Sequence, residues 1–317
     1  MMEKTEVLDC LKAHLQTAVM LELSTLPPYL CAQWSIHGTS VHAVHAHRFI
    51  RSVVQEEMLH LAMACNIMNA IGGTPVLNNP DLLPQFPCVL PGHSAIANSF
   101  VVKLERCCPE SIQTFMNIEL PSVMSHAVVH EDGWCTIGEY YDEVKMLLEH
   151  TSLTDDDFNH GRQIAANYNP AHGKLYEVRN RQDALKALAE IIDQGEGHNG
   201  NLYDGDHQLT HYWKFASIRD LMDKDLWNYH EEVYNMAASP GEGAFTPEGL
   251  EASHEFNQVW TQLLDAMQAA VTSEAPSFDK SIGIMMQMKK PAVKLMQMPL
   301  ARGNGNAGPV FRYLRSQ

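Results

Sequence analysis

Glu57 and His60 are residues whose types and spacing suggest chemistry. They stand three positions apart in QEEMLHL. On an α-helix that spacing puts both side chains on nearly the same face at adjacent turns. A carboxylate and a neutral imidazole held in this way can bind one metal ion. The alternative is an exposed helix face that carries the same two residues by chance.

Three further carboxylates fall where helical periodicity predicts burial. Glu22 lies on an apolar stripe that begins at Leu8, Glu139 lies on a third predicted helix, and Glu196 continues the apolar face of a fourth, four residues after Ile192. A buried carboxylate is costly unless it is protonated, paired with a basic group or bound to a metal ion. The coincidence predicts a carboxylate-rich metal site inside a helix bundle.

Bundles that hold two iron or two manganese ions draw one Glu from each of two helices, and a Glu with a His three residues later from each of two others. Glu22, the pair of Glu57 and His60, and Glu139 follow this plan in chain order. On the third helix Glu143 lies four residues from Glu139 and shares its face, so periodicity does not choose between them.

The fourth helix departs from the plan. Glu196 is followed by His198 only two residues later, about 200° around a helix, so the two side chains would diverge. His211 follows a stretch rich in Gly, Asn and Asp and shares an apolar stripe with Phe215. We therefore predict that His211 is the partner of Glu196, with His198 as the alternative and His207 behind it.

Other polar and aromatic residues invite plainer interpretations. Glu56, Glu190 and Asp193 fall off the apolar stripes, so we expect them to be solvated. Tyr29 and Tyr141 stand close to the proposed ligands in sequence and fit either a substrate pocket or ordinary core packing.

Long helical patterns must position these residues, and alternating strand patterns are missing. Pro27 and Pro28 should end or kink the first helix, since proline supplies no N–H. We predict a single all-α domain without a short internal repeat. Its bundle helices lie near 5–26, 41–71, 136–150, and 183–196 with a continuation after a break near 209–222; an insertion covers 78–133, with one helix near Pro109–Ile118, and further helices cover 246–297.

Composition narrows the classes of partner. Among 317 residues, 38 are acidic and 22 basic, for a net charge of −16, which disfavours nucleic acid and anionic membranes as partners. No apolar run is long enough for a membrane span. Seven cysteines without a CxxC pair and an acidic amino terminus without an export signal predict a cytoplasmic protein with reduced thiols.

Six segments together resemble a known family: LELSTLPPYL, QEEMLHL, TIGEYYDEV, DQGEG, THYWKF and NAGPVFRY. They are similar to the ferritin-like domain family that includes the carboxy-terminal part of the iminophenylpyruvate dimer synthase of violacein biosynthesis. The resemblance covers about residues 8 to 313, and it alone selects Glu139 over Glu143. It implies metal-ligand roles for Glu22, Glu57, His60, Glu139, Glu196 and His211.

Together these features predict a ferritin-like four-helix bundle with long insertions and additional C-terminal helices. The expected function is that of a metal-dependent oxidoreductase with two non-haem iron ions, in which Glu22, Glu57, Glu139 and Glu196 serve catalysis. The resemblance implies an aromatic or amino-acid-derived substrate in specialised metabolite biosynthesis. The expected partners are a small-molecule substrate and dioxygen, with no nucleic acid and no membrane; a homo-oligomer stays open.

Two other functions use the same residues. An iron-storage protein would employ them as a ferroxidase centre, although storage requires little beyond four helices. A metal-free catalyst would use the buried Glu and His as acid and base on an activated intermediate. Metal analysis of protein expressed with ample iron separates this last class from the first.

Overall fold

The computed structural model describes residues 3–91, 100–124, 136–158, 161–164, 173–197, 200–272 and 278–315. Within these ranges the protein is all-α, and extended backbone pairs only as isolated bridges such as Cys88 with Val102. None of the helices described there is long and apolar enough to cross a membrane. In chain order the helices are α1 (Lys4–Ser35), α2 (Val41–Ala70), α3 (Pro109–Ile118), α4 (Ile137–Leu148), α5 (Arg181–Gly195), α6 (His211–Asp223), α7 (Tyr229–Glu232), α8 (Pro247–Thr272) and α9 (Asp279–Met296).

The two longest helices, α1 and α2, form the most extensive helix pair. α2 begins where the Ser40 hydroxyl accepts a hydrogen bond from the Ala43 N–H. It ends before Gly72, which adopts a left-handed φ of 73°. Burial is nearly continuous over 18–35 of α1 and 56–70 of α2, so the middle of this pair forms the centre of the molecule.

The sequence predicts that α1 ends or kinks at Pro27 and Pro28. The helix does not end there but continues to Ser35. An interior proline costs a helix roughly 3 kcal/mol. Burial beyond the prolines offsets this cost, because Tyr29 packs its ring against Phe115 and Phe215 with centroids 4.7 and 5.2 Å away. The continuation carries the Tyr29 hydroxyl into the interior.

Other helices pack on the α1 and α2 pair or on one another. α3 packs against α6, and α6 also contacts α2. α4 and α5 pack on each other, with α4 against α1 and α5 against α2, while α8 pairs with α9 and α9 reaches α1. The segment 78–133, predicted to be an insertion, therefore contains a helix that packs within the central group.

Candidate metal centre

Four helices bring five ligand-type side chains together in the interior. Glu22 comes from α1, Glu57 and His60 from α2, Glu119 from the residue that ends α3, and His211 from the first turn of α6. Each of the five is at most 5% exposed. Side chains of this chemistry are seldom buried as a group without a shared ligand or partner.

The facing atoms form two overlapping groups. Nδ1 of His60 lies 3.6 Å from Oε2 of Glu22 and 4.0 Å from Oε1 of Glu57. Nδ1 of His211 lies 3.0 Å from the same Glu57 oxygen and 3.4 Å from Oε2 of Glu119. In each group the three ligand atoms lie within 4.8 Å of one another. Because Glu57 belongs to both groups, its carboxylate would be shared if each group held an ion.

Each carboxylate is oriented by a buried hydroxyl on its other oxygen. The pairs are Thr25 with Glu57 at 2.7 Å, Tyr29 with Glu119 at 2.5 Å, and Tyr141 with Glu22. One oxygen of each carboxylate is thus held in place, and the second is left directed at the histidines.

The two tyrosines remain protonated donors at neutral pH. Burial, together with the charges of Glu119 and Glu57, raises the pKa of Tyr29 well above its usual value. Burial and the charge of Glu22 do the same to the pKa of Tyr141. Their hydroxyls therefore hold a proton beside the carboxylates.

The histidines are oriented in the same manner. Nε2 of His60 lies 2.9 Å from Oε1 of Gln194, and Nε2 of His211 lies 2.8 Å from Oε2 of Glu56. Glu56 also accepts two hydrogen bonds from the buried ammonium of Lys214, at 2.5 and 2.8 Å. Metal-bound histidines normally donate their second nitrogen to such an acceptor, which leaves the first nitrogen available as a ligand.

Two observations test whether these residues fit a metal ion. Nδ1 of His211 is buried and, despite its short distances, has no partner with hydrogen-bond geometry among the described residues. Burial and the charges of Glu119 and Glu22 raise the pKa of Glu57 to about 8. A divalent cation between these atoms would take Nδ1 of His211 as a ligand in place of a proton and relieve the carboxylate repulsion, so the donor set fits a metal ion.

The structure brings together four of the six residues that the sequence and the resemblance indicated: Glu22, Glu57, His60 and His211. Glu139 instead lies at the start of α4, where it accepts a hydrogen bond from the Thr136 N–H and completes a capping box. Glu196 accepts hydrogen bonds from the backbone and hydroxyl of Ser122. Neither belongs to the two ligand groups found among the described residues.

The alternative ligands Glu143 and His207 lie away from the centre. Glu143 is half-exposed, 3.5 Å from a ring nitrogen of His14. His207 is exposed, and His198 falls outside the described residues. The expectation that Glu56 is solvated is wrong, because this side chain is 1% exposed beneath His211.

Glu119 is not among the ligands predicted from the sequence, although the apolar periodicity around it is visible in the sequence. It follows Ile112 and Phe115 at spacings of seven and four, so it lies on the buried stripe of α3 as Glu22 lies on that of α1. Its helix lies inside a segment that the sequence predicts to be an insertion, so periodicity alone does not place Glu119 beside the bundle helices. The pattern of a Glu followed three residues later by a His does not identify His211 either, because the residue three positions before it is Gln208.

A small cavity of about 20 Å³ adjoins the centre and is lined by Glu119, Tyr141 and Glu196. Ile192 and Glu196 also line an open cleft of about 400 Å³ beside α4 and α5. The Glu196 carboxylate therefore stands between the cleft and the inner cavity. Gly138 gives it room, since a Cβ there would lie 1.8 Å from Oε1 of Glu196.

Comparisons with known proteins agree with this architecture. A family model described as Ferritin-like matches residues 15–220. The solved structure of a ferritin-like protein from Caulobacter vibrioides aligns with a TM-score of 0.68 over 96% of this chain and 97% of its own, at 22% sequence identity. At that identity the likeness shows a common fold. No curated protein matches the chain.

Proposed function

The chain belongs to the ferritin-like family, and from this membership and the five-donor centre we propose that it is a non-haem di-iron oxidoreductase acting on a small substrate. The convergence of three carboxylate oxygens and two imidazole nitrogens on one buried space carries the proposal. Carboxylate and imidazole donors suit iron and manganese, and the shared Glu57 suits a pair of ions.

Glu22 and His60 would hold one ion, Glu119 and His211 the other, with Glu57 between them. Bound iron would supply the electrons needed to reduce dioxygen. The chain's own residues provide position and exclusion of water: the hydroxyls of Thr25, Tyr29 and Tyr141 orient the carboxylates and hold protons beside them. Three carboxylates would leave two ferrous ions with excess positive charge, which favours a further anionic ligand.

The space around the centre favours an enzyme over a storage protein. Apolar residues of α5, including Leu188 and Ile192, line the open cleft, and its inner end adjoins the cavity beside Glu119. The volume of the cleft, about 400 Å³, lies within the range of sites for small molecules. A mineral-forming centre has no need of such a cleft. The similarity of LELSTLPPYL and THYWKF to the family segments supports an aromatic or amino-acid-derived substrate.

Anaerobic loading with ferrous iron, followed by elemental analysis and oxygen uptake, tests the proposal. We expect about two iron ions per chain and uptake that depends on an aromatic amino acid or its keto or imino derivative. Glu57→Gln should abolish both. Many ions per chain taken up without an organic substrate would favour storage, and no bound iron at all would favour the metal-free acid–base catalyst.

A further inference from the structure

A second cavity, outside the metal centre, lies where α9 faces the α1 and α2 pair. Here the side chains enclose a groove of about 290 Å³, called the α9 groove below. Its walls include Gln33 and Trp34 of α1, His47 and Arg51 of α2, and Lys289 of α9. None of its lining residues belongs to the metal centre, so any ligand bound here is separate from the iron site.

The α9 groove is cationic in a strongly acidic protein. Arg51, Lys289 and His47 all line it, and no carboxylate within the described parts of the chain forms an ion pair with any of them. By contrast Lys294, five residues further along α9, pairs with Glu255 at 2.9 Å. Burial and the nearby charges of Lys289 and Arg51 lower the pKa of His47, as expected where like charges converge without a counterion.

Gln33 adds a polar group to the lining of the α9 groove. It is 7% exposed. Its side-chain amide is accessible through the groove and forms no hydrogen bond with any described residue. A ligand with a polar group would supply a hydrogen-bond partner.

The deeper wall is apolar. Leu30, Val54 and Trp34 are buried along the floor, and Met285 lies opposite on α9. Met286 extends this surface at the rim and is 70% exposed. A flat apolar group can pack on such an indole and thioether surface.

We propose that the α9 groove binds a small organic carboxylate with an aromatic body. The carboxylate pairs with the exposed Arg51 and Lys289, the ring packs against Trp34 and Met285, and a hydroxyl or similar group on the ring reaches the amide of Gln33. The volume of the groove lies near the lower end for small-molecule sites. The polar and cationic side chains explain why the ligand is an anion rather than a neutral hydrocarbon.

Calorimetric titration of the full chain with 4-hydroxyphenylacetate tests this proposal. Chelator-treated protein is used first, so that the probe cannot bind iron, and iron-loaded protein should give the same affinity within twofold. We expect saturable binding, weakened at least fivefold by Arg51→Gln and by Lys289→Gln. The matched controls Arg48→Gln and Lys290→Gln remove exposed charges next to the groove and should change the affinity less than twofold.

Two further comparisons separate the parts of the site. Tyramine, which replaces the carboxylate with an amine, should not bind. Phenylacetate should bind more weakly than 4-hydroxyphenylacetate to the wild type but equally to Gln33→Leu. Equal binding of tyramine, an unchanged affinity in Arg51→Gln and Lys289→Gln, or no binding of either acid to protein with native circular dichroism would overturn the proposal.

Discussion

Nε2 of His211 lies 2.8 Å from Oε2 of Glu56, a carboxylate that the buried ammonium of Lys214 approaches to 2.5 Å. This contact turns Nδ1 of the same ring toward Glu57 and Glu119. An ion pair beneath a histidine is costly to bury, and its value here is positional, because it fixes which ring nitrogen faces the carboxylates.

Replacing this ion pair with apolar groups should weaken metal binding without unfolding the protein. In the double variant Glu56→Leu and Lys214→Met, neither charge is left buried alone, so stability should change little. His211 loses its orienting partner, and metal affinity should fall about 10- to 100-fold. Competition with a chromophoric chelator measures the affinity. Glu143→Gln, which alters a half-exposed carboxylate, is the control, and equal affinities in both variants would contradict the assigned role.

Glu119 and Glu139 should respond differently to substitution. Glu119→Ala removes a donor that faces His211, so bound metal should drop sharply while the helices persist. Glu139→Ala removes half of a capping box, which should cost about 1 kcal/mol of stability and leave the metal content unchanged. Elemental analysis and urea denaturation of both variants give the comparison. Loss of metal in Glu139→Ala alone would restore the assignment implied by the family resemblance.

Without metal, the protein should become less stable as the pH rises. The folded pKa of Glu57 is about 8, against an ordinary value of 4.5. Between these values the folded state retains a proton that the unfolded state has released, so stability falls by up to about 1.4 kcal/mol per pH unit. The pKa of His211 acts in the same direction: burial lowers it, but Glu119, Glu56 and Glu57 hold it well above 6.5. The stability that protonated His211 contributes is lost as the pH rises through this raised pKa of the folded state.

Urea denaturation of chelator-treated protein from pH 5 to 8.5 measures this slope. Glu57→Gln should make this slope shallower and leave the contribution of His211, whereas Glu143→Gln should not change it. Burial raises the pKa of Glu22, but His60 together with hydrogen bonds to Glu57 and Tyr141 lowers it overall, so its own transition lies below this window. A wild-type stability that rises over the same pH range would contradict the raised pKa of Glu57.

Gly138→Ala should impair access to the centre while leaving the metal bound. The new Cβ would meet Oε1 of Glu196 at 1.8 Å, and Ser122 holds that carboxylate in place. The carboxylate must shift into the cleft or the inner cavity, so substrate-dependent oxygen uptake should fall severalfold at unchanged iron content. Gly283→Ala is the matched control: it also lies within a helix, but its Cβ would meet open space. That control should gain about 0.5 to 1 kcal/mol of stability and retain activity.

The amino-acid sequence by itself determined the long helices and part of the centre. Apolar spacing identified the faces of α1 and α2, and a carboxylate on such a face must find a partner once the face is buried. That argument needs only one helix at a time. It was sufficient for Glu22 and for the pair of Glu57 and His60, and the stripe through Phe215 was enough to favour His211.

Tertiary structure decided how the helices combine, because periodicity defines a face but not what packs against it. α1 continues past Pro27 and Pro28 since Tyr29 is buried between α3 and α6, and no local preference contains that contact. Glu119 joins the centre because α3 packs within the bundle. Glu56 is buried because Lys214, 158 positions later, meets it across two helices. Each of these outcomes depends on groups far apart in the chain, which only the packed structure brings into contact.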